Sequence, residues 1–510
     1  MKKQTKGFIL LVVIGGALLF WGVAAAAPGM IPSESEETVT LTGTPADHFT
    51  DAQRPTFCGT GDAKSNTYVR EFKIPTECTQ PLSIITDPSG NIWFTETNTG
   101  NITKFDPVYE TFTEYSNPNW PEMARSMMWG IDYLDGNIWY TDATHNLIWK
   151  FSTGDETFHS FSYPESESGT MPQRLQINNG IVITNDFVGN RIVFFDPNQS
   201  GDKLEYKTLA SPLPNSVTGG FAIDEDNLWY TNWKPAEGGV LVKFNIQTDS
   251  IDGVFTLPFG VTTPNGLSIG PDGKIWGTDT ASSLFFSFDL TTQQFTKYTT
   301  PPPGVSAYGN QTGNVKNPVS RPYWNAFDEN GRLWFNEHTS NSIAVFDPSD
   351  ESIIEYLIPS KNPNWADCVE DDCGIAQALD LTISGDKVWF TEWVENNIGV
   401  IDTTLPLPFE IRIDPKELHL SKGEMATVTL TLIPKLTVSG ESTLTVSTTA
   451  LFDDIQILGD LPKINLNEPQ TVELTFFVPE TALSGQHKVA IALRYEDVTV
   501  AKYLAIEITQ

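Results

Sequence analysis

An all-β fold, a seven-bladed β-propeller closed by an N-terminal strand and followed by an immunoglobulin-like β-sandwich, is what this sequence predicts. Three observations carry the prediction. A short unit recurs seven times, as IWFTETNTGNITKF, IWYTDATHNLIWKF, IVITNDFVGNRIVFF, LWYTNWKPAEGGVLVKF, IWGTDTASSLFFSF, LWFNEHTSNSIAVF and VWFTEWVENNIGVI. Each copy is two strand-like runs around a turn, with turns such as PSGN, LDGN, PDGK and ENGR before it, and repeats of roughly 40 to 50 residues built this way are four-stranded propeller blades. The second observation is a missing strand. An outer strand such as FTEYSNP or IIEYLIP follows six of the units, but after the seventh the chain runs into TTLPLP. YVREFKIP, Tyr68 to Pro75, precedes the first blade and supplies the absent strand, so that beginning and end close the ring and leave no open seam. The third is a change of pattern near Phe409, where FEIRI, ATVTLTLI, STLTVST, TVELTFFV, HKVAIALRY and YLAIEIT alternate at period two, as the strands of a sandwich do.

The rest of the chain falls into place around these units. Residues 1–27 join a basic head to an apolar run and small residues resembling a cleavage site, which reads as an export signal peptide; the run is also long enough to stay as an N-terminal membrane anchor. Residues 28–60, rich in Ser, Glu and Thr, read as a mobile spacer, 61–407 as the propeller and 408–510 as the sandwich. The protein is therefore expected to be secreted or held at the cell surface, touching a membrane only through that anchor. Cys58, Cys78, Cys368 and Cys373 fit two disulfides in such a compartment. Cys368-x4-Cys373 reads as a local bridge, and any pairing staples the seam of the ring. Sequons at Asn101, Asn198 and Asn310 would be usable there.

A net charge of −33 excludes a phosphate-backbone partner, which needs Lys and Arg to displace counterions. No G-x-S-x-G elbow, H-E-x-x-H helix or P-loop is present, so hydrolase, metalloprotease and nucleotide chemistry have no local support and no organic cofactor is expected.

Candidate site residues come from the repeat itself. Because the second strand of each unit returns to the face from which the first departs, the residues at the glutamate of WFTE form a rim near the axis: Glu96, Asp142, Asn185, Asn232, Asp279, Glu337 and Glu392. Two readings compete. Each side chain accepts N–H bonds in its own turn, or Glu96, Asp142, Asp279, Glu337 and Glu392 offer oxygen to Mg²⁺ or Ca²⁺. Loops on the same face carry Trp129, Arg174, Asn265, Tyr323 and Trp324, joined by Trp233 and Trp393, which as an exposed set would be a platform for a small molecule, glycan or protein and otherwise pack between blades.

WFTE followed by N-x-I-G and I-x-E-Y-x-I-P resembles the streptogramin (virginiamycin B) lyase family over about residues 68 to 402. The resemblance implies a seven-bladed propeller with Mg²⁺ near its axis and a loop histidine that acts as general acid and base while an ester in a cyclic depsipeptide is opened by elimination. The family's P-H-G-I histidine aligns with Leu82, Trp129, Gln173, Phe221, Asn265, Tyr323 or Gln377, and none is histidine. His338 and His145, in loops of the same face, are the candidate replacement bases. The expected function is an exported binding propeller, with an active carbon–oxygen lyase as the alternative and a lactonase or sugar-processing propeller third.

Overall fold

The structure, a computed structural model, describes residues 44–121, 124–199, 205–235, 237–304, 319–365, 373–437, 440–451 and 453–510. The leader, residues 28–43 of the expected spacer, Asn310 and Cys368 lie outside the described residues.

Seven antiparallel four-strand units follow one another along the chain. Blade 1 is Pro81–Thr86, Ile92–Glu96, Ile102–Asp106 and Thr111–Tyr115, from the inner strand outward. Blades 2 to 6 occupy 131–162, 172–210, 217–256, 264–299 and 322–357 in the same order. Blade 7 takes its three inner strands from 378–402, and its outer strand is Val69–Lys73, paired antiparallel with Asn397–Asp402 from Lys73↔Asn397 to Val69↔Ile401. The N-terminal closing strand is thus where the missing partner required it.

Burial explains the motif. Ile92–Glu96 is buried at every position, because a central blade strand has a neighbouring blade on each face. Trp93 packs on Tyr115 of its own blade and on Phe151 of the next, and its indole N–H donates to Asp87 Oδ2 at 2.8 Å. Asp328 does the same for Trp334 at 2.9 Å. Both aspartates also accept N–H groups of their own turn, whose Gly90 and Gly331 sit at φ +84° and +78°, where a side chain would strain the backbone. The threonine before the glutamate ties blades together. Thr95, Thr141, Thr231, Thr278 and Thr391 donate through their hydroxyls to backbone carbonyls in or just before the next blade's inner strand, at Met128, Gln173, Pro264, Tyr323 and Leu82. In blades 3 and 6 an asparagine takes over: Asn185 Nδ2 donates to Thr218 O and Asn336 Nδ2 to Ala378 O, at 2.8 and 2.7 Å. The clasp runs right round the ring.

The tail forms two sheets around an apolar core that includes Val428, Leu430, Leu474, Phe476, Ile491 and Leu504. One sheet joins the propeller directly. Its last strand, Val498–Thr509, pairs antiparallel with the outer strand of blade 6, Ser352–Leu357, so that one sheet runs from the axis into the sandwich. Lys488 clamps Glu351 at 2.6 Å across the junction, and Tyr503 Oη donates to Thr299 O at 2.7 Å. Pairing satisfies the backbone of an edge that would otherwise template aggregation.

The expected mobile spacer is corrected at its C-terminal end. Residues 44–60 carry two helical turns, Pro45–His48 and Arg54–Phe57, and lie across the rim face. Asn98 Nδ2 donates to Pro45 O at 3.0 Å, Asn362 Nδ2 to Pro55 O at 3.0 Å, and Thr60 is held by Glu395 at 2.9 Å. Phe57 meets Trp365 and Trp393 edge-on, and the Arg125 guanidinium lies 4.6 Å from the centre of Phe49. A Cys58–Cys78 disulfide fixes the segment to the start of blade 1, and Cys373 is also disulfide-bonded. Ring burial and cation–π contact give a polar-looking segment enough to stay ordered.

Candidate functional site

The rim carboxylates are placed one per turn. Thr99 and Thr103 hydroxyls donate to the two oxygens of Glu96, each at 2.6 Å. Asp142 accepts Ser126 Oγ, the His145 backbone N–H and the Trp149 indole; Asp279 accepts the N–H of Thr262 and Thr263 and the Ser282 hydroxyl. In blade 3 the register moves the position by one residue. Pro172 faces Asp186 as Pro81 faces Glu96, and Asp186 accepts Met171 N, Gly189 N and the Arg191 guanidinium. Asp186, not Asn185, is therefore the rim residue of blade 3, and Asn185 is its interblade clasp.

Glu337 and Glu392 differ from these. Neither oxygen of Glu337 and only one of Glu392 makes a well-formed hydrogen bond among the described residues, the latter from Asn397 Nδ2 at 3.0 Å. Each faces a second carboxyl from the outer strand of its own blade, Glu355 and Glu71 respectively. Burial, then the facing carboxyl, pushes Glu337 and Glu392 well above the usual carboxylate range; burial takes Glu355 up to about 7, and burial, then the Glu114 charge, takes Glu96 up to about 7. Asp186 and Asp279 are raised for the same reason. Among the described residues no three His, Cys, Asp or Glu side chains converge as a metal site. A hard cation needs about six oxygens. The separate carboxylates do not fit a shared Mg²⁺ or Ca²⁺.

The aromatic residues sit below the surface. Trp129, Trp233, Asn265, Tyr323, Trp324 and Trp393 are only 1 to 3% exposed, so these side chains are packing, not an open platform. Tyr323 centres one cluster, 4.5 Å from Trp324, 4.4 Å from His338 and 6.2 Å from Trp129. Trp233 belongs to a separate cluster with Phe187, 5.7 Å away, and Asn265 donates to Thr280 Oγ1. Arg174 alone reaches across the axis. From blade 3 it pairs with the buried Asp380 of blade 7 at 2.9 Å, its guanidinium 4.8 Å from the ring centre of Trp324 in blade 6.

Strand pairing also settles the ring where the resemblance expects a histidine. Thr218↔Asn232 and Ala378↔Glu392 are the counterparts of Pro81↔Glu96, so the fourth and seventh positions are Gly219 and Leu379, replacing Phe221 and Gln377. None of the seven is histidine. Of the candidate bases, His145 is engaged by Asp142 at 2.9 Å and lies edge-on to Trp120. His338 is buried, and burial with the nearby Arg321 charge pushes its imidazole down to about 3. A base that weak holds no proton at neutral pH and transfers one poorly.

Sequence reasoning missed Asp380, Glu71, Glu355 and the 44–60 segment. The two glutamates had a readable signal: the outer strands VREFK and SIIEYL carry Glu in blades whose second strand ends in Glu.

Fold and site together define a β-propeller with a plugged, strapped rim face. The sequence profile of the virginiamycin B lyase family matches residues 32–285. Solved structures agree at the level of fold. Virginiamycin B lyase from Staphylococcus aureus superposes with a TM-score of 0.51 at 19% identity, over 66% of this chain and 98% of that one. A streptogramin B lyase gives 0.51 at 20% identity over 65% and 96%. A catalytically inactive His-to-Ala variant of the Staphylococcus aureus enzyme with quinupristin gives 0.51 at 19% over 66% and 98%. No curated protein sequence matches the chain. The chain is a virginiamycin B lyase-like propeller carrying a further β-sandwich.

Proposed function

We propose that this is an exported propeller that binds a ligand, a small molecule, glycan or protein, and does not cleave it. One observation carries the reading: the ring of positions that aligns with the lyase histidine holds Leu82, Trp129, Gln173, Gly219, Asn265, Tyr323 and Leu379. Elimination beside a carbonyl needs a base near the operating pH and positive charge to meet the developing anion. His338 is too weak a base, Glu96, Asp142, Asp186 and Asp279 are spent on turns, and Glu337 and Glu392 are buried, each against a second carboxyl. Export rests on the apolar leader and on disulfide chemistry.

Calorimetric titration with Mg²⁺ and Ca²⁺ tests the reading, with Glu337→Gln and Glu392→Gln proteins alongside. The expected result is no saturable heat and a changed melting temperature in the variants. Saturable heat that disappears in the variants would make the rim a cation site and return the lyase reading to first place.

A further inference from the structure

The axis has a second end. The inner strand Pro172–Asn178 starts at the rim and runs to the opposite face, and along it Arg174, Gln176, Ile177 and Asn178 line a cavity of about 340 Å³ together with inner-strand residues of blades 1, 2 and 4. That volume suits a small organic molecule. We propose that this cavity binds a zwitterion, an α-amino acid with an aliphatic side chain.

Three features select that class. Arg174 is fixed before any ligand arrives, one Nη1 donor bonded to Asp380 and its plane over Trp324, while its other guanidinium donors have no partner among the described residues. The side chain is 21% exposed, and it faces the cavity. A planar fork with an open edge takes a carboxylate through two parallel bonds, and its pre-ordering lowers the entropic cost of binding. Asp132, on the same wall, accepts Tyr133 N and Ile177 N at 2.8 and 2.7 Å and retains lone pairs for an ammonium group. Asp380 neutralises Arg174, so Asp132 leaves the cavity one negative charge. A plain anion is repelled by Asp132 and by the −33 chain, and a plain cation leaves the arginine edge unfilled. A zwitterion meets both groups. Ile85, Ile131, Ile177 and Ile223 supply an apolar wall for an aliphatic side chain.

Calorimetry on the full-length protein with L-leucine, isocaproate, which lacks the ammonium, and isoamylamine, which lacks the carboxylate, tests the assignment. Leucine is expected to bind saturably, and each truncated analogue about tenfold or more weaker, as expected when one buried charged partner is left unmet. Asp132→Asn should weaken leucine about tenfold without weakening isocaproate, and Ile223→Trp, which fills the cavity, should abolish all binding with the fold intact by circular dichroism. Absence of leucine binding, equal binding of isocaproate, or leucine affinity unchanged in Asp132→Asn would each overturn the proposal. It rests on the binding reading for its premise that the axis holds a ligand. Failure of leucine alone removes this occupant, whereas ring opening of a cyclic ester removes the reading beneath it.

Discussion

The melting temperature should be highest near pH 5 and fall by on the order of 10 °C toward pH 9, because buried rim carboxyls must lose protons that the fold retains. Glu96, Glu337, Glu355 and Glu392 have folded pKa values above the unfolded glutamate value, reaching about 7 for Glu96 and Glu355, with Glu337 and Glu392 also well above it. Each contributes stability that is complete below about pH 4.5 and is lost as pH rises through the folded pKa. For Glu96 the displacement corresponds to on the order of 3 kcal/mol. Asp402, held down to about 2 by Lys387, and Glu410, held down to about 2 by Arg412 and Lys435, act oppositely. Their contribution is present above about pH 4 and is lost as pH falls toward 2. Glu337→Gln should flatten the alkaline limb, since an amide beside Glu355 removes one of two facing carboxyls. A melting temperature that rises steadily from pH 5 to 9 would show these groups ionised in the folded protein.

Asp380→Ala should cost about 3 kcal/mol, seen as a melting temperature lower by roughly 5 °C. The substitution strands the Arg174 guanidinium between Trp324 and the cavity and also removes an acceptor from the backbone N–H groups of Ile84 and Leu381. The cost falls at the lower end for a buried pair because Arg174 keeps access to the cavity. Replacing both partners, Arg174→Met with Asp380→Leu, should recover most of the loss, since the penalty comes from an unpaired charge more than from the missing attraction. Equal losses in the single and double variants would mean that the bridge itself stabilises the ring.

Much of this architecture could be read from the chain before its structure. Seven WFTE-like units fixed the blades, and the strand absent after IGVID pointed to Val69–Lys73. What escaped depends on contacts between residues far apart in sequence. Arg174 and Asp380 belong to blades on opposite sides of the ring and meet only at the axis, so neither local pattern announces the other. The shift from Asn185 to Asp186 rests on the pairing of Pro172 with Asp186, invisible in letters where T-N-D offers two polar candidates. The 44–60 segment is polar and aperiodic, yet two phenylalanines and one disulfide tie it down. The tail read correctly as strands, but continuous pairing with blade 6 depends on an edge that repeat periodicity does not reveal. In each case local physics set the elements, and distant packing decided their use.

The most direct test of the central claim is a ring-opening assay with quinupristin, followed by chromatography and mass spectrometry in the presence of Mg²⁺. Elimination yields a linear isomer of unchanged mass in a new peak, whereas ester hydrolysis adds the mass of one water. A binding propeller without a competent base returns the cyclic compound unaltered. A linear product that forms with the intact protein and disappears with His145→Ala or His338→Ala would contradict that account.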